Sequence, residues 1–452
     1  MLSLQKCHLS KFQFSILSLK KRVFIAMLRN KIITVFIFFA GLFFLSCNPA
    51  EPDNKPADFE FAAEDASCTE AWLTLKVNDI AGAKVYRGDS LIFNLTQQSI
   101  DTTLYDEGLL PNNVYKYHTT IQLYNNSNAV TKELTIQTMD TTSHNFSWQT
   151  WSFGKHSSSV LYDVAIINEN NIWAVGEIYM KDSLGNPDQH AYNAVHWDGS
   201  SWELKRIPYD YHGTNFYHPI KAVFAFGQDN IWFCGNGVIH WDGNSFVPIP
   251  IPENVWGPYQ MNKIWGTSSS DLYVVGNGGN IAHYDGSPLA NGWTKIESGT
   301  ELTIGDIWGV KDSNGGFIKF LAAGEKMFII NQKNEVLKVN KEPYMFINST
   351  WGINDRIIYT AGNGIVLYKN NKWKKLAESE TNTIYFVKGD NYNNIMGLSS
   401  NFNIIHFNGY SWEFLKAGSI NIYYRLEVKN NLAIAVGWQD DKAVVTVIKR
   451  NN

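Results

Sequence analysis

Short apolar runs alternating with polar positions, each closed by Gly, Asn, Asp or Ser, fill the chain from residue 57 to its end. Period-two alternation puts one face of each run on a core and the other toward solvent, so it predicts strands rather than helices. Residues 57–141 carry six such runs (AWLTLKV, AKVYRG, SLIFNL, TTLYDEG, VYKYHTTIQLY and KELTIQTM), the spacing of an antiparallel β-sandwich. From residue 146 the pattern repeats itself. One set of segments reads NNIWAVG, DNIWFCG, SDLYVVG, KFLAAG, RIIYTAG, NIMGLSS and LAIAVG, and all but NIMGLSS end in glycine, at Gly176, Gly235, Gly276, Gly324, Gly362 and Gly437.

Around these runs lie KIWG, DIWG and STWG on the upstream side, at Trp265, Trp308 and Trp351, and turns such as AVHWDGSSW, VIHWDGNSF and IIHFNGYSW downstream. Asp-Gly and Asn-Gly between two aromatic positions are tight-hairpin signals, because those residues tolerate positive φ. Four strands in roughly 40 residues is the period of a propeller blade. The last unit, YYRLEVKNNLAIAVGWQDDKAVVTVIKR, supplies three strands, and FSWQTWSFG at residues 146–154 is a ready donor of the fourth. The expected fold is therefore all-β, a seven-bladed β-propeller over residues 146–452 closed by strand 146–154, preceded by the sandwich over 57–141.

The N-terminal segment reads as an address. From Met27 the chain runs MLRNKIITVFIFFAGLFFLSC: basic Arg29 and Lys31, an apolar stretch, then Ser46 and Cys47. The apolar stretch is shorter than the ~20 residues of a membrane span. Residues 1–46 are read as a signal segment with translation starting at Met27, and the polar, proline-rich residues 47–56 as a tether. Basic residues are concentrated in this signal segment, since residues 1–46 hold seven Lys or Arg and no acid. Of 38 basic residues, 31 then remain against 42 acidic ones, an acidic balance that argues against nucleic acid as partner.

Several motifs resemble known families. Phe44-Leu45-Ser46-Cys47 is similar to a bacterial lipobox, which implies lipid on Cys47, a membrane anchor through it, and a place in the cell envelope, at the outer membrane or cell surface. LLPNNVYKY resembles the fibronectin type III pattern, which implies a tyrosine corner at Tyr115, Trp72 in the sandwich core, and a domain acting as a spacer. The repeats over 146–452 resemble the NDIWAVG and HWDGSSW propeller repeats of bacterial secreted lipoproteins, akin to kelch-like and two-component-regulator-like propellers. That likeness specifies architecture, not activity.

No GxSxG, HExxH, phosphate-loop or EF-hand pattern occurs. His196, His240, His283 and His406 share one register but sit on separate blades, too far apart for the ~2 Å bonds of one metal, so they are read as hydrogen-bonded strand residues. Asp163, Asp306 and Glu427 lie on strands that line a channel and are read as solvated carboxylates. No catalytic residue, cofactor or metal is assigned, and Asp182, Asn186 and Asp188 leave a calcium contact open. The longest loops, on blades 1–3, gather Tyr211, His212, Phe216, Tyr217, His218, Trp256 and Tyr259 as a candidate patch for a glycan, protein or peptide ligand. The expected function is a binding or interaction module, with carbohydrate or peptide as ligand. The alternative is an enzyme acting on polysaccharide or peptide, glucosyltransferase-like or hydrolytic, with its site at the channel.

Overall fold

The computed structural model describes residues 59–451 except 125–129, 212, 340–345, 371, 377–382, 402–403 and 416–420. The signal segment, the tether, Cys47 and His212 lie outside the described residues. No α-helix occurs among those described, and no helix is long and apolar enough to cross a membrane.

The chain is a β-propeller with a β-sandwich packed against it. Among the described residues, seven four-stranded antiparallel sheets make up the propeller, and their first strands are Val160–Asn168, Ala222–Gly227, Met261–Ser268, Asp306–Lys311, Ile347–Asn354, Ile384–Asn391 and Ile422–Lys429, of blades 1 to 7 in that order. Each first strand touches the next, and the seventh touches the first, so they form a closed ring. Blade 7 takes its fourth strand from Phe146–Phe153, with Val445 opposite Trp151 and Arg450 opposite Phe146. The two ends of the repeat region are thus one sheet, which leaves no unpaired edge at the join.

The glycine that ends most second strands has a steric cause. A Cβ on Gly362 would lie 1.6 Å from the Phe346 carbonyl oxygen, and one on Gly437 would lie 1.9 Å from that of Ile422. Only glycine lets the second strand run this close to the entry of the first. The same glycines join neighbouring blades, because the Gly176, Gly276 and Gly324 carbonyls accept the amides of Ile220, Ile304 and Ile347 at the start of the following blade.

The register histidines occupy a repeated triad. His196, His240 and His283 reach Asn171, Asn230 and Asp271 at 3.0, 3.0 and 2.8 Å. Each ring lies against the aromatic two residues further along the second strand, Trp173, Trp232 or Tyr273, with centroids 4.3–4.5 Å apart. His406 departs from the pattern: it is fully buried against His144, 2.9 Å between Nδ1 atoms, and burial pushes it down to about 3.

The sandwich consists of a three-stranded and a four-stranded sheet closing on Leu73, Leu75, Val85, Tyr117 and Ile121. Trp72 does not join that core. It is 3% exposed and packs with Trp351, Tyr359 and Tyr392 of blades 5 and 6, its ring edge-on to Tyr392 at 5.1 Å. Strand Glu70–Val77 turns Ala71, Leu73 and Leu75 inward, so Trp72 falls on the opposite face, and that face meets the propeller.

Polar contacts ring this apolar joint. Lys369 pairs with Glu70 and with Glu107, the latter at 3.0 Å, Arg356 pairs with Glu64, and the Tyr392 hydroxyl donates to Asp65 at 2.9 Å. The buried Cys68 thiol packs so tightly on the blade 6 turn that a Cβ on Gly409 would lie 2.3 Å from its sulfur. The expected spacer is therefore a docked domain.

Candidate functional site

In five blades a β-bulge at the entry of the first strand aims one side chain into the mouth of the channel. In blade 3, Met261 faces Gly276 while Lys263 faces Val275, which leaves Asn262 as the extra residue. The same count leaves Tyr162, Asn348, Tyr385 and Tyr424 unpaired in blades 1, 5, 6 and 7. Bulges bend a strand and redirect a side chain, and these five, with Lys221 of blade 2 and Gly305 of blade 4, line a mouth of about 650 Å³. That volume is in the range of small-ligand and peptide side-chain sites.

The chemistry of the mouth is phenolic and cationic. Tyr162 donates to Glu177 at 2.5 Å and Tyr179 to the same carboxylate at 2.9 Å, and burial followed by its own bond to Glu177 pushes the Tyr162 phenol above its ordinary value. Lys221 holds its ammonium 3.4 Å from the Tyr162 ring centroid, and burial lowers its pKa. Arg425 donates to the Gly305 carbonyl at 2.9 Å. Asn262 bridges Asn277 and the Ile304 carbonyl at 2.9 and 3.0 Å.

One residue further along the first strands, polar clasps join the blades. Asp163 accepts the Val223 amide at 3.1 Å and the Lys263 ammonium at 2.6 Å, and Asp306 accepts the Thr350 amide at 3.1 Å. Ser349, in the corresponding register, bonds Val387 in the same way. Below them Lys388 lies over Trp308 at 3.7 Å and pairs with Glu427 at 3.4 Å. Burial pushes Lys388 below and Glu427 above their ordinary values. The three channel carboxylates thus hold blades together, contrary to the expectation that they are merely solvated.

The loop patch on blades 1–3 is only partly assembled. Phe216 and Tyr259 are exposed, at 41% and 50%, and Phe216 stacks parallel on exposed His218 with centroids 5.6 Å apart. Tyr217 is half-buried beside His190, Tyr211 is described as backbone of a short hairpin, and His212 lies outside the described residues. Trp256 leaves the patch. It is 5% exposed in the core between blades 2 and 3, and its indole donates to the Tyr259 carbonyl at 2.5 Å. The turn that begins at Pro252, whose carbonyl accepts the amides of Val255 and Trp256, folds the ring inward.

Asp182 accepts the amides of Leu184 and Asn186 in its own turn, and Asp188 is paired with Arg206 at 2.5 Å. Those carboxylates are committed to loop structure, and no metal-holding cluster of His, Cys, Asp or Glu occurs among the described residues.

No family model matches this sequence, and no curated protein matches it. Solved structures do. A YCF48 bound to D1 peptide shares 12% identity over 69% of this chain and all of its own, with TM-score 0.52. The WD40 β-propeller domain of Doa1 shares 10% identity over 68% of this chain and 98% of its own, with TM-score 0.50. The shared feature is the propeller fold.

Proposed function

We propose that this protein is a binding module of the cell envelope that takes a peptide or protein segment at the central mouth of its propeller. The observation that carries the reading is the bulge in five of seven blades, which costs regular pairing each time and turns a tyrosine or asparagine toward one opening. Engagement of Asp163, Asp306 and Glu427 in blade contacts favours binding over hydrolysis or sugar transfer, because an acid–base pair needs carboxylates free to exchange protons with substrate. The structural neighbour described as bound to a D1 peptide is consistent with a propeller serving this purpose.

A photo-cross-linking residue in place of Tyr424, with the same residue in place of Tyr259 as comparison, tests the site in cells. Attachment of a peptide at 424 and not at 259 supports the reading, and attachment only at 259 overturns it. A second reading, a glycan site on the loops of blades 1–3, is favoured by the exposed parallel Phe216–His218 stack beside Tyr217, whose rings suit a sugar face. It predicts an attached glycan at 259.

The lipid anchor at Cys47 belongs to the same proposal. It rests on the order of basic, apolar and small residues before Cys47. Metabolic fatty-acid labelling should mark the wild type and not Cys47→Ala, and equal labelling of both would refute it. The sandwich is proposed to be fibronectin type III-like, supported by the Leu110 amide donating to the Tyr115 hydroxyl at 2.8 Å, five residues upstream of that tyrosine.

A further inference from the structure

The mouth carries both cations and exposed apolar side chains. Blades 7, 1 and 2 contribute Arg425, Tyr162 and Lys221, and Arg425 reaches across the opening to the Gly305 carbonyl of blade 4. Lys221 contacts a ring face, Arg425 is bonded to a backbone carbonyl, and neither has a carboxylate partner among the described residues. The acid nearest to Lys221 in charge effect, Glu177, already accepts two tyrosine hydroxyls. Among the described residues no Asp or Glu lines the opening.

Blades 4 and 5 supply the apolar groups. Leu302 and Phe346 are 38% and 46% exposed there, beside the Ala323 and Ile347 backbone entry. Large apolar side chains left facing water at a concave site gain by burial against an apolar group. Cations held half-buried without a counter-charge gain by accepting a carboxylate, since charge-assisted hydrogen bonds strengthen as water leaves.

The geometry points to a ligand that is a peptide segment carrying a carboxylate next to a large apolar side chain, with the carboxylate on Lys221 in the field of Arg425 and the apolar group against Leu302 or Phe346. This rests on the reading of the mouth as the binding site. A peptide satisfies both kinds of group, whereas an acidic glycan would satisfy the cations and set hydroxyls against Leu302. The carboxylate comes from a chain terminus or from an Asp or Glu side chain.

Selection of random linear peptides with free C-termini against the full chain in mild detergent tests the inference. Enriched peptides should pair an acidic group with Phe, Leu, Ile or Met. Lys221→Glu should weaken them by about tenfold or more and shift a fresh selection toward basic peptides, with the melting midpoint unchanged. Arg425→Gln serves as an independent variant should charge reversal at 221 impair folding. Synthesis of an enriched peptide as free acid, as C-terminal amide, and with Asp→Asn or Glu→Gln identifies which carboxylate is read.

Enriched neutral peptides that respond to Leu302→Ser but not to Lys221→Glu would overturn the carboxylate inference and leave the mouth as the site. Peptides insensitive to all of these changes would overturn both. Polygalacturonate binding that is lost in Lys221→Glu, with no peptide enriched, would overturn the peptide class.

Discussion

Replacing Trp72 measures how firmly the sandwich is fixed to the propeller. Its ring is 3% exposed, among Trp351, Tyr359 and Tyr392, and truncating a buried tryptophan to alanine costs about 3–5 kcal/mol. Its Nε1 is buried with no protein acceptor among the described residues, and an unsatisfied donor of that kind costs about 1–3 kcal/mol, so the net loss on truncation falls at the low end, about 3 kcal/mol. Trp72→Phe keeps an aromatic ring and removes the orphan N–H, and should be near neutral. For a unit of about 80 residues each kcal/mol moves a melting midpoint by about 4–8 °C. Calorimetry of the wild type should show the sandwich melting with the propeller, and Trp72→Ala should release a separate sandwich transition at least ~10 °C lower. Superimposable traces for wild type and Trp72→Ala would refute docking and restore a free spacer.

Three further outcomes follow from named contacts. Burial alone would raise the Asp271 carboxyl, but the bonds from His283 and Thr267, at 2.8 and 2.6 Å, hold it at about 2, below its ordinary 3.8. Its contribution to stability is therefore present above pH ~4 and is lost as pH falls through 2. Asp271→Asn, which installs the residue found in blades 1 and 2, should flatten that part of a denaturant-midpoint-versus-pH curve, and an unchanged slope would count against it. Lys388→Met should destabilise by about 2 kcal/mol, less than the 3–5 for a fully buried pair because Glu427 keeps some solvent, while Lys388→Met with Glu427→Leu should recover most of the loss; chemical denaturation of both variants checks this. Trp256→Ala should lose about 3 kcal/mol or more, whereas Phe216→Ala should stay within ~0.5 kcal/mol, and equal midpoints would return Trp256 to the surface.

The propeller is legible in sequence because its repeat is enforced sterically. Gly362 and Gly437 cannot carry a Cβ, and the His–Asn–Trp triads keep His196 and His240 in fixed register with Trp173 and Trp232. Trp72 was open to the same reasoning, since it is out of phase with Leu73 and Leu75 and so must face away from the sandwich core. Only the identity of what covers it depends on tertiary contacts. Trp256 follows a proline-led turn whose direction no periodicity reports. The mouth is hidden for a related reason. A bulge breaks the period-two alternation, so Asn262, Asn348 and Tyr424 look like ordinary strand residues until the terminal glycine of the following strand is recognised as the mark of a bulge opposite it.

The central claim is that ligand enters at the bulge-lined mouth and not at the loops of blades 1–3. Binding of one peptide obtained by selection, measured by fluorescence anisotropy, should be weakened by about tenfold or more in Lys221→Ala with Tyr424→Ala, and unchanged in Phe216→Ala with Tyr259→Ala, both pairs melting as the wild type does. Loss in the loop pair with full binding in the mouth pair would contradict it.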